Sequence, residues 1–239
     1  MNSPKRQART AGVLYLLVGL FGAFAQAFVY PKMYVPGDAA ATAGNLVANA
    51  GLVRLGIVSD LVNETAFVFM ALTLYGLLKQ VQHSAARAMV VLVALAAAIS
   101  SLNMVFEFAA LRVATGAVDL SSLGAAGSNA MVLLLVDTQH YGLLIAQVFF
   151  GLWLVPLGYL AHKSGWFPKP LAMVLVVGGA CYLVDLLTAF LVPDLNHLIH
   201  TFIVIPCEVA EIWMLGYLLA IGVRTKKVVK PSEPVLAGV

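Results

Sequence analysis

Residues 54–78 read RLGIVSDLVNETAFVFMALTLYGLL, a stretch long enough to cross the roughly 30 Å hydrocarbon core of a bilayer as one helix. Its second half is almost purely apolar, but its first half carries Arg54, Asp60, Asn63 and Glu64. A helix surrounded by lipid would not keep such groups, because one Asp at its centre costs about 2.5–3.5 kcal/mol. The stretch therefore predicts a transmembrane helix whose polar side faces other helices.

The composition of the whole chain is typical of an integral membrane protein. Of its 239 residues, 62% are apolar and 10% are charged, and the mean hydropathy is +0.94. Soluble domains carry about 25% charged residues, so the soluble class is excluded. The net charge of +3 does not indicate nucleic-acid binding, because the basic residues lie in short loops and tails. Cys181 and Cys207 both fall in apolar runs and are read as small apolar fillers rather than as a disulfide.

Six apolar runs are long enough to span a bilayer. They cover residues 10–30, 53–79, 87–112, 139–161, 170–192 and 199–223. The first run exceeds the 7–15 apolar residues of a signal peptide, so we read it as a retained span. The prediction is an all-α, polytopic membrane helix bundle at 10–223, flanked by an N-terminus at 1–9 and a disordered tail at 224–239.

The distribution of basic residues predicts the orientation. Eleven of the fourteen Lys and Arg residues flank the ends of the runs that share a side with both termini, and three lie on the opposite side. Since Lys and Arg concentrate in cytoplasmic loops, both termini are expected in the cytoplasm.

The two longer outer connections have different predicted structures. In residues 31–52 a Pro36-Gly37 turn and the helix-capping residue Asp38 predict a short helix on the outer surface. Residues 128–137 form a short apolar segment that is interfacial or re-entrant. A continuous helix from this segment through 139–161 would be about 50 Å long, so we expect a break between Asp137 and Gly142.

Polar residues recur on one face of five of the six runs, mostly in their outer halves. In the second run, Asp60, Asn63 and Glu64 lie within about 100° of one another on the helical wheel. Such a bias predicts a polar pocket inside the bundle that opens outward. The predicted pocket residues are Asp60, Asn63, Glu64, Asn103, Glu107, His140, Gln147, Asp185, His200, Glu208 and Glu211.

The charges of this pocket do not balance. Six carboxyl groups face two arginines near the outer boundary, Arg54 and Arg112, which we expect to form ion pairs with Asp60 and Glu107. The remaining carboxyl groups need protonation, charged histidines, a metal ion or a cationic ligand, because unpaired buried charge is costly. The sequence leaves these routes open.

A divalent metal is one candidate occupant of the pocket. Imidazole and carboxylate groups from His140, Asp185, His200 and Glu208 form a ligand set that zinc accepts. No HExxH or CxxC spacing supports it, and histidines beside a turn are also common at membrane interfaces. Pro206 frees a backbone carbonyl next to Glu208, which suits either an ion or proton site or a merely structural kink.

Several segments together resemble a bacterial membrane family catalogued as domain-of-unknown-function 4386. They are VPGDAAATAGNL with GLVRLGIVSDLV, the segment DTQHYGLLIAQVFFGLWLVPLGYLAHKSGWFPKPLA, and GGACYLVDLL. The resemblance spans about residues 10–222 and implies six helices in a bacterial plasma membrane. It implies no substrate, cofactor or catalytic residue.

Three functional hypotheses follow from these observations. The leading one is binding or transport of a small cation, proton or amine-bearing solute, with Glu64, Asp185, Glu208 and Glu211 as the charged groups. The second is a membrane enzyme acting on a lipid-like substrate, through either a bound metal or a desolvated carboxylic acid. The third is a sensing or assembly protein whose polar groups specify helix packing.

Overall fold

The computed structural model describes residues 3–224, except for the side chain of Ser121. This range is almost entirely helical and contains no strand. Its first helix, α1 (Pro4–Met33), consists of α-helical Pro4–Gly22, π-helical Ala23–Val29 and a last turn, Tyr30–Met33. The other helices are α2 (Ala39–Ala48), α3 (Ala50–Leu78), α4 (His83–Ala114), α5 (Gly124–Ser164), α6 (Lys169–Leu191), α7 (Pro193–Ile203) and α8 (Ile205–Ala220).

Six elements within the described range are long and apolar enough to cross a membrane: α1, α3, α4, α5, α6 and the pair α7–α8. The chain is therefore a multi-pass membrane protein, and the six predicted spans are confirmed. The first span begins at Pro4, inside the segment assigned to the N-terminal tail. The C-terminal tail is predicted to be disordered, and from residue 225 onward it lies outside the described residues.

The predicted break between Asp137 and Gly142 is wrong, because α5 is one continuous helix of 41 residues. At 1.5 Å per residue it is about 60 Å long, roughly twice the hydrocarbon thickness. Its additional turns pack against α2 and α4, where Val132 and Val136 are buried. Residues 128–137 are thus apolar because they contact protein, and they are neither re-entrant nor a separate interfacial segment.

The spanning helices form a closed ring in chain order. α1 packs against α3, α3 against α4, α4 against α5, α5 against α6, α6 against α8, and α8 closes the ring on α1. Gly222, at the end of α8, approaches Lys5 and Ala8 of α1. The two ends of the described chain therefore lie together, at what we call the terminal end of the bundle.

Two apolar clusters lie at opposite ends of this ring. The larger one is at the terminal end and includes Leu78, Met89, Leu160 and Leu218. The smaller one surrounds α2, at the opposite end, which we call the α2 end; its members are Met33, Ala43, Leu46, Val53, Ile57, Met104, Ala110, Leu111, Val132 and Val136. Most of the intramembrane polar residues occupy the layer between the two clusters.

Close helix crossings fix the walls of this middle layer. Gly151 of α5 and Gly179 of α6 face each other, and a Cβ added at Gly151 would lie 2.8 Å from the Gly179 carbonyl oxygen. No side chain fits there, so the two backbones are in direct contact. Small residues permit such close approach between membrane helices, and the contact sets the positions of Gln147 and Tyr182 nearby.

The short helix predicted within residues 31–52 is present as α2, at the end of the bundle opposite the termini. Asp38 caps it as expected, because its Oδ1 accepts a hydrogen bond of 2.9 Å from the backbone N–H of Ala41. Thr42 is fully buried and bonds the backbone of Val35, which ties the preceding turn to the helix. α2 thereby covers the α2 end of the ring.

Candidate functional site

The ring encloses a cavity of about 520 Å³ in its middle layer. All six helices of the ring contribute to its wall. The polar lining residues are Gln26, Asp60, Asn63, Glu64, Ser100, Gln147, Tyr182, Glu208 and Glu211. Six of the eleven residues predicted for the pocket are in this set, whereas Asn103, Glu107, His140, Asp185 and His200 lie outside the cavity wall.

The floor of the cavity is formed by α3 and α4. Asp60, Glu64 and Ser100 are there, each with at most 7% of its surface exposed. Gln26 of α1 donates a hydrogen bond of 3.0 Å from Nε2 to Oδ2 of Asp60. The Oε2 atom of Glu64 and the Oγ atom of Ser100 are buried in this floor without a well-formed hydrogen bond to the described residues, although the two side chains lie side by side. Buried polar atoms of this kind are costly, so a small side-chain movement that reaches a ligand or water is favourable.

The opposite wall is formed by α6 and α8. Tyr182 donates a hydrogen bond of 3.0 Å from its hydroxyl to Oε1 of Glu211. Glu208 lies one turn earlier on α8 and is exposed toward the cavity. Pro206, near the start of α8, lies where the chain changes from α7 to α8, so the structure divides the sixth span into two helices.

Four carboxyl groups line the cavity, and no Lys, Arg or His is among its described lining residues. The predicted ion pairs of Arg54 with Asp60 and of Arg112 with Glu107 are not formed. Both arginines are exposed, and within residues 3–224 no ion pair joins Arg54 to Asp60 or Arg112 to Glu107. Both arginines lie near the α2 end of their helices, where a long side chain extends toward the polar boundary instead of inward.

Asp185 is the centre of a separate hydrogen-bond cluster between α5, α6 and α7. It is 2% exposed, and its Oδ2 accepts a bond of 2.8 Å from Nε2 of Gln147. Its Oδ1 accepts a bond of 2.9 Å from Asn196 and lies 2.8 Å from Nδ1 of His200. The His200 side chain is 55% exposed. These contacts hold α7 against the bundle, since α7 has no buried residue.

His140 belongs to a third group, near the α2 end. Its Nδ1 lies 3.3 Å from the hydroxyl of Tyr30, and its ring contacts those of Tyr34 and Tyr141. Tyr34 donates a bond of 2.7 Å to Oδ1 of Asp137. Burial, followed by this bond, raises the pKa of Tyr34 above its usual value, so its hydroxyl remains a donor.

The four residues considered as metal ligands are therefore divided among three places. Glu208 lines the cavity, Asp185 and His200 form the α7 contact, and His140 lies with the tyrosines. Within residues 3–224 no group of three or more His, Cys, Asp or Glu side chains is placed to hold a metal ion. The structure does not bring the proposed ligand set together.

Asn103 and Glu107 lie beside the cavity, on α4. Glu107 is buried and borders a narrow void that also contacts Gln26 and Asp60. Asn103 packs against Gly142 of α5, where any Cβ would overlap its amide group. These two residues tie α4 to its neighbours and extend the polar layer toward the α2 end.

Sequence reasoning missed three residues that complete these groups. Gln26 is the one amide side chain in the apolar run 11–29, and that isolation is the signal that could have identified it. Tyr182 and Asn196 carry no such signal, because Tyr is common in membrane helices and Asn196 follows the Pro193-Asp194 turn. Their roles depend on how α6, α7 and α8 pack.

Comparison with models of known protein families identifies the family of the chain. A model described as a domain of unknown function, DUF4386, matches residues 10–222. The chain belongs to the DUF4386 family. This confirms the resemblance read from the sequence, and the match covers the cavity wall contributed by every helix of the ring. For this DUF4386 chain, neither the curated proteins nor the solved structures give a match.

Proposed function

We propose that this DUF4386 protein binds a small amine-bearing organic cation in the cavity between its six spans. The observation that carries the proposal is the charge of the wall: Asp60, Glu64, Glu208 and Glu211 line the cavity, and its described lining residues include no basic side chain. Carboxyl groups at membrane depth are costly without a positive partner. A cationic ligand supplies that partner.

The size of the cavity favours an organic ligand over a bare ion. Pockets for small molecules have volumes of about 300–1,000 Å³, and this one measures about 520 Å³. Its wall includes Phe150 and Tyr182 beside the carboxyl groups. Aromatic faces attract organic cations through cation–π contacts worth about 0.5–2 kcal/mol.

The unpartnered atoms of the floor indicate where the amine would bind. An ammonium group donates up to three hydrogen bonds. Glu64, Ser100 and Asn63 line the cavity, and each has an oxygen atom without a well-formed hydrogen bond to the described residues. The amine would therefore bind at the floor, with its organic part in the remainder of the cavity.

Binding to the purified protein tests the proposal. Isothermal titration compares phenethylamine with its neutral analogue 2-phenylethanol, and empty detergent micelles give the background. We expect the amine to bind at least about tenfold more tightly, a difference of about 1.4 kcal/mol. Glu64→Gln and Glu211→Gln should each weaken amine binding by about tenfold or more, because each removes one carboxylate partner.

Asp194→Asn is the matched control, because Asp194 is an exposed carboxyl outside the cavity. It should leave the affinity unchanged. Equal affinities for the amine and the alcohol would refute the proposal, as would equal losses in all three variants.

Transport is the wider form of the same proposal. Proteoliposomes holding an internal pool of (2-aminoethyl)trimethylammonium should exchange it for the same labelled compound outside; its permanently charged nitrogen prevents unaided passage through lipid, and its primary amine can donate to the floor. Exchange that Glu64→Gln abolishes would identify a transporter. Amine binding without exchange would identify a sensor or an enzyme that uses the same site.

The proposal includes an orientation in which both termini lie in the cytoplasm of a bacterial plasma membrane and the cavity lies in the outer half of the bundle. It is supported by the eleven Lys and Arg residues on the side of the termini. In a background lacking Cys181 and Cys207, Ala117→Cys should react with an impermeant maleimide in intact cells. Gln80→Cys should react only after permeabilisation, and the opposite pattern would reverse the orientation.

A further inference from the structure

The cavity has a buried floor and an exposed rim, and the rim belongs to two neighbouring helices. Asp60, Glu64 and Ser100 of the floor are buried in α3 and α4. On the rim, Gly19, Ala23, Gln26 and Ala27 of α1 and Glu208 of α8 all line the cavity and are exposed. The cavity therefore opens sideways, between α1 and α8, and not along the axis of the ring.

The seam between α1 and α8 is closed at the terminal end and open beyond it. A Cβ at Gly12 of α1 would lie 3.0 Å from the backbone nitrogen of Leu219, so the two helices touch there. Farther along, α8 continues into α7, which packs on α6 and α8. Within the described residues no substantial contact joins α1 to α7. The result is a lateral slot that widens toward the α2 end.

The slot opens at the depth of the lipid chains. Glu208 lies about 18 Å along the helix from Ala220, the end of α8, which places it well inside a hydrocarbon core of roughly 30 Å. Its neighbours on α8 are lipid-facing, with Val209 46% and Ile212 65% exposed. Polar rim groups such as Glu208 and Gln26 would be unfavourable against acyl chains alone. They fit a polar headgroup that passes between them.

The lining itself is amphipathic. Beyond the carboxyl floor, the wall carries Met104, Leu143, Leu144 and Phe150 of α4 and α5 on the side away from the slot, and Val18, Ala23 and Ala27 of α1 at the slot. The rim of α1 is π-helical from Ala23 to Val29, an unusual winding that often marks functional positions in membrane helices. A ligand with a cationic head and a hydrocarbon tail matches this arrangement from floor to rim.

We infer that the ligand is a membrane amphiphile with a primary amine headgroup, which moves from the bilayer into the cavity through the slot between α1 and α7–α8. The headgroup binds the carboxyl floor, and the hydrocarbon tail stays in the slot and continues into the lipid. This inference rests on the proposed amine-binding function and names the substrate class. The ligand would reach the cavity from the lipid bilayer and not from water.

Photo-cross-linking in proteoliposomes tests the inference. The probe is a long-chain primary amine with a diazirine near the end of its hydrocarbon chain, and the reference is the same chain with a hydroxyl group in place of the amine. We expect at least about fivefold more cross-linking with the amine probe, mapped by mass spectrometry to the rims of α1 and α8. Phenethylamine should compete, and Glu64→Gln should lower the yield to that of the reference alcohol.

Ala27→Trp and Ala23→Trp narrow the slot, and Leu20→Trp is the matched control, because Leu20 is 59% exposed on α1 but does not line the cavity. The two rim variants should lose the amine-specific cross-linking, and Leu20→Trp should keep it. Equal yields for the amine probe and the reference alcohol, or rim variants that cross-link like the control, would overturn lateral access.

The soluble probe separates the failure of this inference from that of the proposed function. Phenethylamine binding that depends on Glu64, together with no preference for the long-chain amine probe, would overturn the amphiphilic substrate and leave the amine site standing. Absence of both would overturn the two together.

Discussion

Replacement of Asp185 should release α7 from the bundle. Three donors, from Gln147, Asn196 and His200, converge on this one carboxyl group, which is 2% exposed. α7 has no buried residue of its own, so the bonds from Asn196 and His200 are a large part of its specific contact with α6, together with two that Asn196 makes to the Asp185 carbonyl oxygen and to Oγ1 of Thr188. The Gln147 bond joins α5 to α6. Asp185→Ala removes all three bonds and leaves the Gln147 amide without its side-chain acceptor.

The cost follows from the number of bonds and the value of each. Interhelical hydrogen bonds in a membrane protein contribute about 0.6 kcal/mol on average and at most about 1.7. Three of them give a loss of about 2–5 kcal/mol for Asp185→Ala. At roughly 2–4 °C per kcal/mol for a chain of this length, the melting temperature should fall by about 4–20 °C.

Asp185→Asn should cost about a third as much. An amide retains one acceptor oxygen, which can still serve Asn196 and His200. Its NH₂ group then faces Nε2 of Gln147, donor against donor, so one bond is lost. The ratio of the two effects is a sharper test than either alone, because both variants remove the same carboxyl group.

A thiol-reactive fluorophore can follow this unfolding, since Cys207 is fully buried in the folded protein. Hydrogen exchange then locates the effect: the amides of α7 should lose protection in Asp185→Ala before those of α8 do. Asp194→Asn serves as the control on the same helix, because its side chain is exposed. A melting temperature within about 1 °C of the unaltered protein, with α7 still protected, would refute the role assigned to Asp185.

Three further predictions concern helix contacts. Gly151→Ala should lower the melting temperature, because its Cβ would lie 2.8 Å from a backbone oxygen of α6. Gly216→Ala should instead raise the free energy of unfolding by about 0.5–1 kcal/mol, since nothing lies within 4 Å of the added Cβ. Equal shifts in the two variants would contradict the α5–α6 contact. Asp38→Ala should lose about 1 kcal/mol through the missing cap, seen as faster hydrogen exchange in the first turn of α2. Tyr182→Phe removes the 3.0 Å bond to Glu211 and leaves Tyr15 as the neighbouring hydroxyl, so it should weaken phenethylamine binding measured by titration. An unchanged affinity would place Glu211 outside the binding site.

The spans and α2 could be predicted from sequence because their signals are local. Run length and hydropathy locate a membrane helix, and Pro36-Gly37-Asp38 contains the turn and the cap that begin α2. The inward face of α3 also follows from residue spacing, since Asp60 and Glu64 lie one turn apart and are both buried. None of these features depends on which helices are neighbours.

The length of α5 could not be predicted, because an apolar residue has the same hydropathy against lipid and against protein. Val132 and Val136 are buried against protein in the cluster around α2, and the sequence contains no boundary signal there. The partner of Asp60 was missed for a related reason. Charge alone suggested Arg54, but the ring places α1 against α3, and Gln26 is the residue that reaches the carboxyl group.

The division of the polar residues into separate groups likewise depends on packing. The sequence gives an approximate depth and a helix face for His140, Asp185 and Glu208. It does not give the order of helices around the ring. That order separates His140, beside α1, from Asp185, beside α7.

The position of a bound amine tests the central claim most directly. Crystals or cryo-EM samples of the protein with 4-bromophenethylamine would locate the bromine by its scattering and the amine by its hydrogen bonds. We predict the amine nitrogen within about 3.2 Å of a carboxylate oxygen of Glu64, with the aromatic ring inside the ring of helices. A bound amine outside the ring of helices, or an empty cavity at saturating ligand, would contradict the account.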